Sequence, residues 1–409
     1  MRILYIVPYV PSQVRVRPFN LIRQLVGRGH EVTVATVWTG DAERMALEAL
    51  RASGPAVWSE PLSMVRATWN CLRALPTSRP LQSVFSWQPA LAGRIKAAAA
   101  DEGPGEPFDV IHVEHLRGAR YGLLWLNGSQ AGRKRPPVIW DSVDCISRLF
   151  AMTVEAGRSR TSRVMARLEA GRTRRFEATL IKQFDRTLVT SAQDGEALGD
   201  LELSARSAIR VLPNGVDLEH FSEGDPRLRE QNTIVMSGKM SYHANISMVL
   251  HFVHDILPKI RAKRPQVRLW IVGKDPAPAI AALASDPGIT VTGEVANVAG
   301  YLQRAEVAVA PTVYGVGIQN KVLEAMSCAT VVVASSHAVR GIGPGAAEGI
   351  VVADDAETFA SEVVGLLEQP ERRVTVGRAG RRYVEVEHDW GHIGEELEQV
   401  YHGIIAHTS

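Results

Sequence analysis

Short apolar runs alternate with stretches of helical spacing along most of the chain. Arg2–Val7 is a continuous apolar run of strand length. Phe19–Arg28 carries helical apolar spacing and ends at Gly27 and Gly29, and His30–Val37 is a second apolar run. Together they predict a βαβ unit. Further buried strands are expected at Phe108–His115, Pro136–Asp141, Asp185–Ser191 and Ala208–Asn214. An Asn214-Gly215 turn then breaks the pattern, and the polar stretch Gly224–Gln231 reads as a linker. Strand-like runs resume at Thr233–Gly238, Val267–Gly273, Ile289–Gly293, Ala305–Ala310, Val331–Ala334 and Ile350–Ala353, with helical stretches between most of them. This alternation predicts an α/β protein of two Rossmann-like doubly wound domains, residues 1–222 and 223–385. Residues 41–105 carry the weakest pattern. Helices are expected there around Asp41–Arg51 and Ala90–Ala100, followed by a Gly/Pro turn cluster at Asp101–Pro107, and Trp58, Trp69 and Trp87 read as packing residues.

Composition changes this picture little. A chain of 409 residues with 45% hydrophobic and 22% charged residues suits two ordinary globular domains. A formal net charge of +2 creates no global demand for nucleic acid. Cys71, Cys145 and Cys328 have no metal-ligand spacing and fit a reducing cytoplasm. The N-terminal apolar run is too short for a secretory signal, and no run approaches the roughly 20 apolar residues of a membrane span, so a cytoplasmic protein is expected. The charge is unevenly spread, however. Residues 155–186 are read as a long helical stretch carrying Arg158, Arg160, Arg163, Arg167, Arg172, Arg174, Arg175, Lys182 and Arg186 against Glu155, Glu169, Glu177 and Asp185. Two readings stay open: a face that docks on anionic lipid or an anionic acceptor at the inner membrane surface, or a solvated helix laced with i,i+4 ion pairs.

Candidate chemistry gathers around Tyr314–Cys328. The buried run Glu306–Pro311 leads into a turn bearing Gly315 and Gly317, and Ile318, Val322, Leu323 and Met326 then have helical spacing. A strand–turn–helix of this kind aims free backbone N–H groups and the positive end of a helix dipole at one spot, which suits phosphate. Lys321 adds a charge there, and Glu324 can accept from ribose hydroxyls; a plain crossover with solvent-facing Lys and Glu is the alternative. Gly238 ends a strand, and Lys239 just past it can reach the same place, so that two lysines would neutralise a diphosphate. In the first half no G-x-G-x-x-G follows the first strand, which argues against a dinucleotide site. Arg15 and Arg17 are either solvated loop residues or contacts for an anionic substrate. His112, in mid-strand, reads as a core residue. Glu114 and His115 stand at a strand's carboxyl end, where open α/β sheets bind ligands. Asp141 and Asp144 end another strand; each orients a sugar hydroxyl or caps the next helix.

Several of these segments resemble the glycosyltransferase group 1 family, retaining enzymes of the GT-B fold. Pro213-Asn214-Gly215-Val216-Asp217 with Phe221 matches a family signature, Val26–Val34 and Phe108–His115 are similar to its N-terminal half, and Gly293–Pro311 is similar to its C-terminal half. Gly317–Met326 is similar to bacterial exopolysaccharide sugar transferases, including those associated with PEP-CTERM/exosortase systems. The resemblance implies two facing Rossmann-like domains with an interdomain cleft and a C-terminal segment, residues 386–409, whose helix crosses back to the first domain. It implies a nucleotide-diphosphate sugar donor, UDP- or GDP-linked, held by Gly238, Lys239, Gly317, Ile318, Gln319, Asn320, Lys321 and Glu324. It implies a hydroxyl acceptor, lipid-linked or a soluble aglycone, near Arg15, Arg17 and Asp141, with His115 or Glu114 beside the sugar. No cofactor and no metal are expected, because basic residues stand in for the metal. Departures from the family pattern are Val316 in place of its first motif glutamate, Lys239 in place of arginine, Asn245 near the place of a lysine, and Ser12–Arg15 in place of a Gly-Gly loop. The missing first glutamate keeps open a catalytically silent nucleotide-sugar-binding protein, and another GT-B enzyme such as a nucleotide-sugar epimerase is a further alternative.

Overall fold

A computed structural model describes residues 1–12, 15–100, 107–128, 134–156, 160–314 and 318–408. The chain divides into two compact units, Met1–Pro213 with Trp390–Ser409, and Asn214–Asp389. The unit boundary thus precedes the stretch read as a linker. Gly224–Gln231 is packed within the second unit: the Gly224 N–H donates to the Cys328 carbonyl, the Glu230 N–H to the Arg304 carbonyl, and Arg229 spans the carbonyls of Ala305 and Ala329. Its polarity serves these bonds.

The first unit is built on a seven-stranded parallel sheet: β1 (Arg2–Ile6), β2 (Glu31–Trp38), β3 (Ala56–Pro61), β4 (Val110–Glu114), β5 (Val138–Val143), β6 (Arg186–Val189) and β7 (Ile209–Val211), in the order β3-β2-β1-β4-β5-β6-β7. Leu4 pairs with Thr33 on one side and Ile111 on the other. Strands covered on both faces read as unbroken apolar runs, which is why β1 and β4 are legible in sequence. Edge strand β3 was not anticipated; it is only partly buried along its length. The helix Trp390–Thr408 packs on one face of this sheet through Trp390, Ile393, Leu397, Tyr401 and Ile404, a one-faced helical stripe that meets Leu21, Ile22 and Leu25. The expected basic helix is resolved into Ile146–Ala156 and Arg160–Gln183; the expectation at Arg158 lies outside the described residues, as do the side chains of Glu155 and Arg160.

The second unit has six parallel strands: β8 (Thr233–Ser237), β9 (Arg268–Val272), β10 (Ile289–Gly293), β11 (Val307–Ala310), β12 (Val332–Ala334) and β13 (Ile350–Val352), ordered β10-β9-β8-β11-β12-β13. Apolar layers cover both faces, one around Phe252 and Phe359 and one around Val322, Leu323 and Met326. In each sheet the order reverses once, between β1 and β4 and between β8 and β11. Crossovers leave in opposite directions at such a point and open a crevice at the strands' carboxyl ends. Both crevices carry candidate residues.

Candidate functional site

At the reversal point of the second unit, β8 runs into Gly238, whose φ of 142° suits a residue without Cβ. A Cβ there would lie 2.9 Å from Asn245 Nδ2 and 3.6 Å from Lys321 Cε, so the bare backbone lets both side chains lie across the strand end. Asn245 then joins the two segments: its Nδ2 donates to the Lys239 carbonyl at 2.9 Å, and its Oδ1 accepts from Lys321 Nζ at 2.8 Å. Lys321 also donates to Gln319 Oε1 at 3.1 Å. Burial draws the Lys321 ammonium down to about 8 despite Glu324 nearby, and it pushes the Glu324 carboxyl up to about 7 despite Lys321. Lys321 sits in the first turn of the helix Asn320–Ser327 and Glu324 at the start of the second. A partly desolvated ammonium at a helix N-terminus is a strong place for an incoming anion, because little water has to be displaced from it. Lys239 differs in being exposed, 3.9 Å from the carboxylate of Asp275.

The remaining candidates in this unit divide. Gln319 and Lys321 stand together, but the Ile318 side chain is buried in the apolar layer and Asn320 Oδ1 accepts from Asn214 at 3.2 Å. The Ile318 side chain is therefore not presented to a ligand, whereas Asn320 is half-buried. Gly315, Val316 and Gly317 lie outside the described residues. Sequence reasoning passed over His243 and Tyr314, just past β8 and β11: their rings stack 5.5 Å apart and His243 Nδ1 lies 2.8 Å from the Tyr314 hydroxyl. The signal was present, since both residues fall just past strands, but an aromatic pair separated by 71 positions has no local signature. The signature Pro213–Asp217 has a structural part: the Asn214 carbonyl lies 2.7 Å from His388 Nδ1, the Val216 N–H donates to the His388 carbonyl, and Asp217 accepts from the N–H groups of Glu219 and His220.

In the first unit the crevice between β1 and β4 holds Tyr9, Arg15 and His115. His115 stands at φ 62°, and Val143, at the end of neighbouring β5, at φ 68°. Left-handed backbone is costly for such residues and tends to persist where the surrounding structure enforces it, often at functional sites. Burial, then Arg117, lowers the His115 imidazole to about 3, so it is neutral and its Nδ1 accepts the Arg117 N–H at 3.4 Å. Glu114, its neighbour, is turned inward. Tyr5 and Tyr9 donate to its two oxygens at 2.8 and 2.7 Å, and burial, then Asp141, pushes its carboxyl to about 7. Arg15 ion-pairs Glu43 at 2.8 Å and lies over the Tyr9 ring.

Arg17 and Asp141 require correction as substrate contacts. They form an ion pair at 2.8 Å with side chains 4% and 0% exposed, and Arg17 also donates to the carbonyls of Leu212 and Pro213. A buried pair of this kind is satisfied from within and presents no charge to a ligand. His112 completes the network as a core residue, 2.9 Å from the Tyr401 hydroxyl and 3.5 Å from Asp141. Asp144 does not cap the next helix: the N–H groups of Ile146 and Ser147 go to Glu177, while Asp144 accepts from Thr190.

Comparison with known proteins follows the same division of the chain. The family model described as "Glycosyl transferases group 1" matches residues 231–369, and that described as "Glycosyltransferase Family 4" matches residues 14–220, just over half of the chain. A phosphatidyl-myo-inositol mannosyltransferase of Mycolicibacterium smegmatis is 30% identical over 200 residues, which is 46% of this chain and 50% of that protein. The chain thus spans about half the length of the curated relatives it matches. Among solved structures, sucrose-phosphate synthase from Thermosynechococcus elongatus superimposes with a TM-score of 0.70 at 18% identity over 99% of both chains. Anabaena HepE in complex with UDP gives 0.66 at 13% identity, over 98% of this chain and all of that one. With two parallel-sheet α/β units, solved neighbours of the same fold over nearly the whole chain and a family match across most of both units, the chain has the GT-B fold and belongs to the group 1 glycosyltransferases.

Proposed function

We propose that this protein is a retaining glycosyltransferase that moves a sugar from a nucleotide-diphosphate donor to a hydroxyl acceptor in surface polysaccharide or glycolipid assembly. The observation that carries the reading is the Lys321 cluster at the reversal point of the second sheet. In it, Lys321 with Lys239 takes the diphosphate, the amide N–H groups of the first helical turn complete the cradle, and Glu324 accepts from the ribose. As the glycosidic bond to the diphosphate breaks, negative charge grows on the leaving oxygen, and an ammonium already in place stabilises it without reorganisation. His115, neutral at physiological pH, positions the sugar and acceptor; it does not carry a proton through the reaction. The lysines supply the charge a divalent ion would otherwise bring, so turnover persists in EDTA. The similarity to a protein named for phosphatidyl-myo-inositol supports a lipid-linked acceptor over a soluble aglycone.

The test is a panel of UDP-, GDP-, dTDP- and ADP-sugars, read first by thermal stabilisation and then by mass spectrometry with added acceptor. One nucleotide class raises the melting temperature, and its sugar is transferred. Stabilisation with release of nucleotide but no acceptor product points to an epimerase, and stabilisation without turnover to a silent binder; no stabilisation by any nucleotide removes the reading.

Binding carries a pH signature. Lys321 is the cationic partner and loses its proton above about 8, so affinity for the free nucleoside diphosphate falls by about tenfold for each further pH unit. Glu324 is an acceptor as the anion and takes a proton below about 7, which weakens the ribose contact on the acid side. Calorimetry across this range gives a maximum between the two limbs; Lys321→Met abolishes the alkaline limb and, because the ammonium no longer holds the Glu324 carboxyl down, moves the acid limb to higher pH.

A further inference from the structure

Two helices of the first unit present large apolar side chains to solvent. On Met64–Ala74 these are Val65, Trp69 and Leu72, 81%, 57% and 51% exposed, at the i, i+4, i+7 spacing of one helix face. On Arg160–Gln183 they are Val164, Met165 and Leu168, the last 64% exposed. The end of the shorter helix and the segment after it reach the longer one: Arg172 donates to the Leu75 carbonyl at 2.6 Å, and the Leu81 N–H donates to Glu169 at 2.7 Å. Leu168 lies one turn before Arg172 and Leu72 one turn before Leu75, so both stripes end beside the Arg172–Leu75 bond. Large apolar side chains grouped in solvent in this way mark an interaction site.

The surrounding charge names the partner. Arg66 and Arg73 flank the first stripe, and no acidic residue occurs from Met64 to Pro80. On the longer helix, Arg163, Arg167 and Arg174 are exposed, whereas its acidic residues are turned inward, Glu169 to Arg172 and the Leu81 N–H, Glu177 to the N–H groups of Ile146 and Ser147. The i,i+4 ion pairs that would make this a neutral solvated face do not form at these arginines among the described residues. An apolar face rimmed by arginines, whose aliphatic stems lie along it while their heads reach outward, fits the boundary between acyl chains and anionic headgroups. Among the described residues no helix is long and apolar enough to cross a membrane.

We propose that this two-helix face docks the protein on an anionic lipid bilayer, with Trp69 and Leu72 entering the acyl boundary and the arginines of the longer helix meeting the headgroups. The inference deepens the glycolipid reading but is tested without any sugar donor, so either can fail alone. Full-length protein is floated with phosphatidylcholine vesicles with and without phosphatidylglycerol. It binds those containing phosphatidylglycerol and leaves them as salt is raised. Trp69→Ser with Leu72→Ser weakens binding at least about tenfold, and Arg163→Gln with Arg167→Gln and Arg174→Gln about a hundredfold. Both variants keep the wild-type melting temperature and nucleotide affinity, since the altered side chains are exposed. Equal binding to both vesicle types, no binding to either, or an unweakened Trp69/Leu72 variant overturns the proposal. So does light scattering that shows a dimer broken by the same two serines with no vesicle binding, which would make the face a contact between copies of this chain.

Discussion

Lys321→Ala is expected to slow sugar transfer by about a hundredfold, near 2.7 kcal/mol of barrier, with a smaller change in KM. The asymmetry follows from when the charge is needed. The bound donor already carries a diphosphate, but the charge on the leaving oxygen is greatest in the transition state, so losing the ammonium costs more there than in the ground state. Asn245 and Gln319 hold Nζ in place at 2.8 and 3.1 Å, which is the preorganisation that makes the contact effective. Lys321→Arg is not a conservative rescue, since a planar fork does not fit a position built for a point charge. Thermal stability should not fall, because removing a desolvated charge relieves a cost of burial. Initial rates for the alanine variant within about threefold of wild type would remove Lys321 from the chemistry.

Arg17→Ala is expected to destabilise the first unit by about 3–5 kcal/mol. The loss is chiefly that of an abandoned partner. Burial pushes the Asp141 carboxyl up, but Arg17 and His112 outweigh it and hold the group below its ordinary value. Without Arg17 a buried carboxylate is left with far less compensation, and the carbonyls of Leu212 and Pro213 lose their donor. Replacing both partners, Arg17→Met with Asp141→Leu, recovers most of the stability, since an apolar pair of similar volume carries no desolvation penalty. The sign with pH follows from the lowered carboxyl. Its stabilisation is present above the unfolded-state value and is lost as pH falls through the folded one. The gap between wild type and Arg17→Ala therefore narrows toward acid pH. Urea unfolding at neutral and acid pH measures both effects; a cost below about 1 kcal/mol at neutral pH would show the pair to be dispensable.

Much of the fold was legible because strands buried on both faces must be apolar throughout. β1, β4, β8 and β11 announce themselves in this way, and the residues just past them mark the ligand-binding ends of the sheets. Lys239, Lys321 and Glu324 are candidates by that rule. The helix Met64–Ala74 was missed for the opposite reason: its apolar stripe faces solvent, so Trp69 looked like one more packing residue. The half-exposed edge strand β3 carries Ser59 and Glu60 among its apolar residues and falls below the same signal.

The sequence by itself determined the α/β class, the two-unit division and the strand ends at which the candidate residues stand. Each of these depends on local spacing of apolar residues and glycines, which chain position encodes directly. Tertiary structure alone decided which charges are available. Arg15 and Arg17 differ by two positions, yet one is half-exposed beside Tyr9 and the other is sealed against Asp141, 124 residues away. Glu114 and His115 are adjacent, yet one turns inward to two tyrosines and the other stands at the strand's end. A side chain's charge is read from its letter, but whether that charge is neutralised depends on a partner that only the folded topology brings within hydrogen-bonding distance.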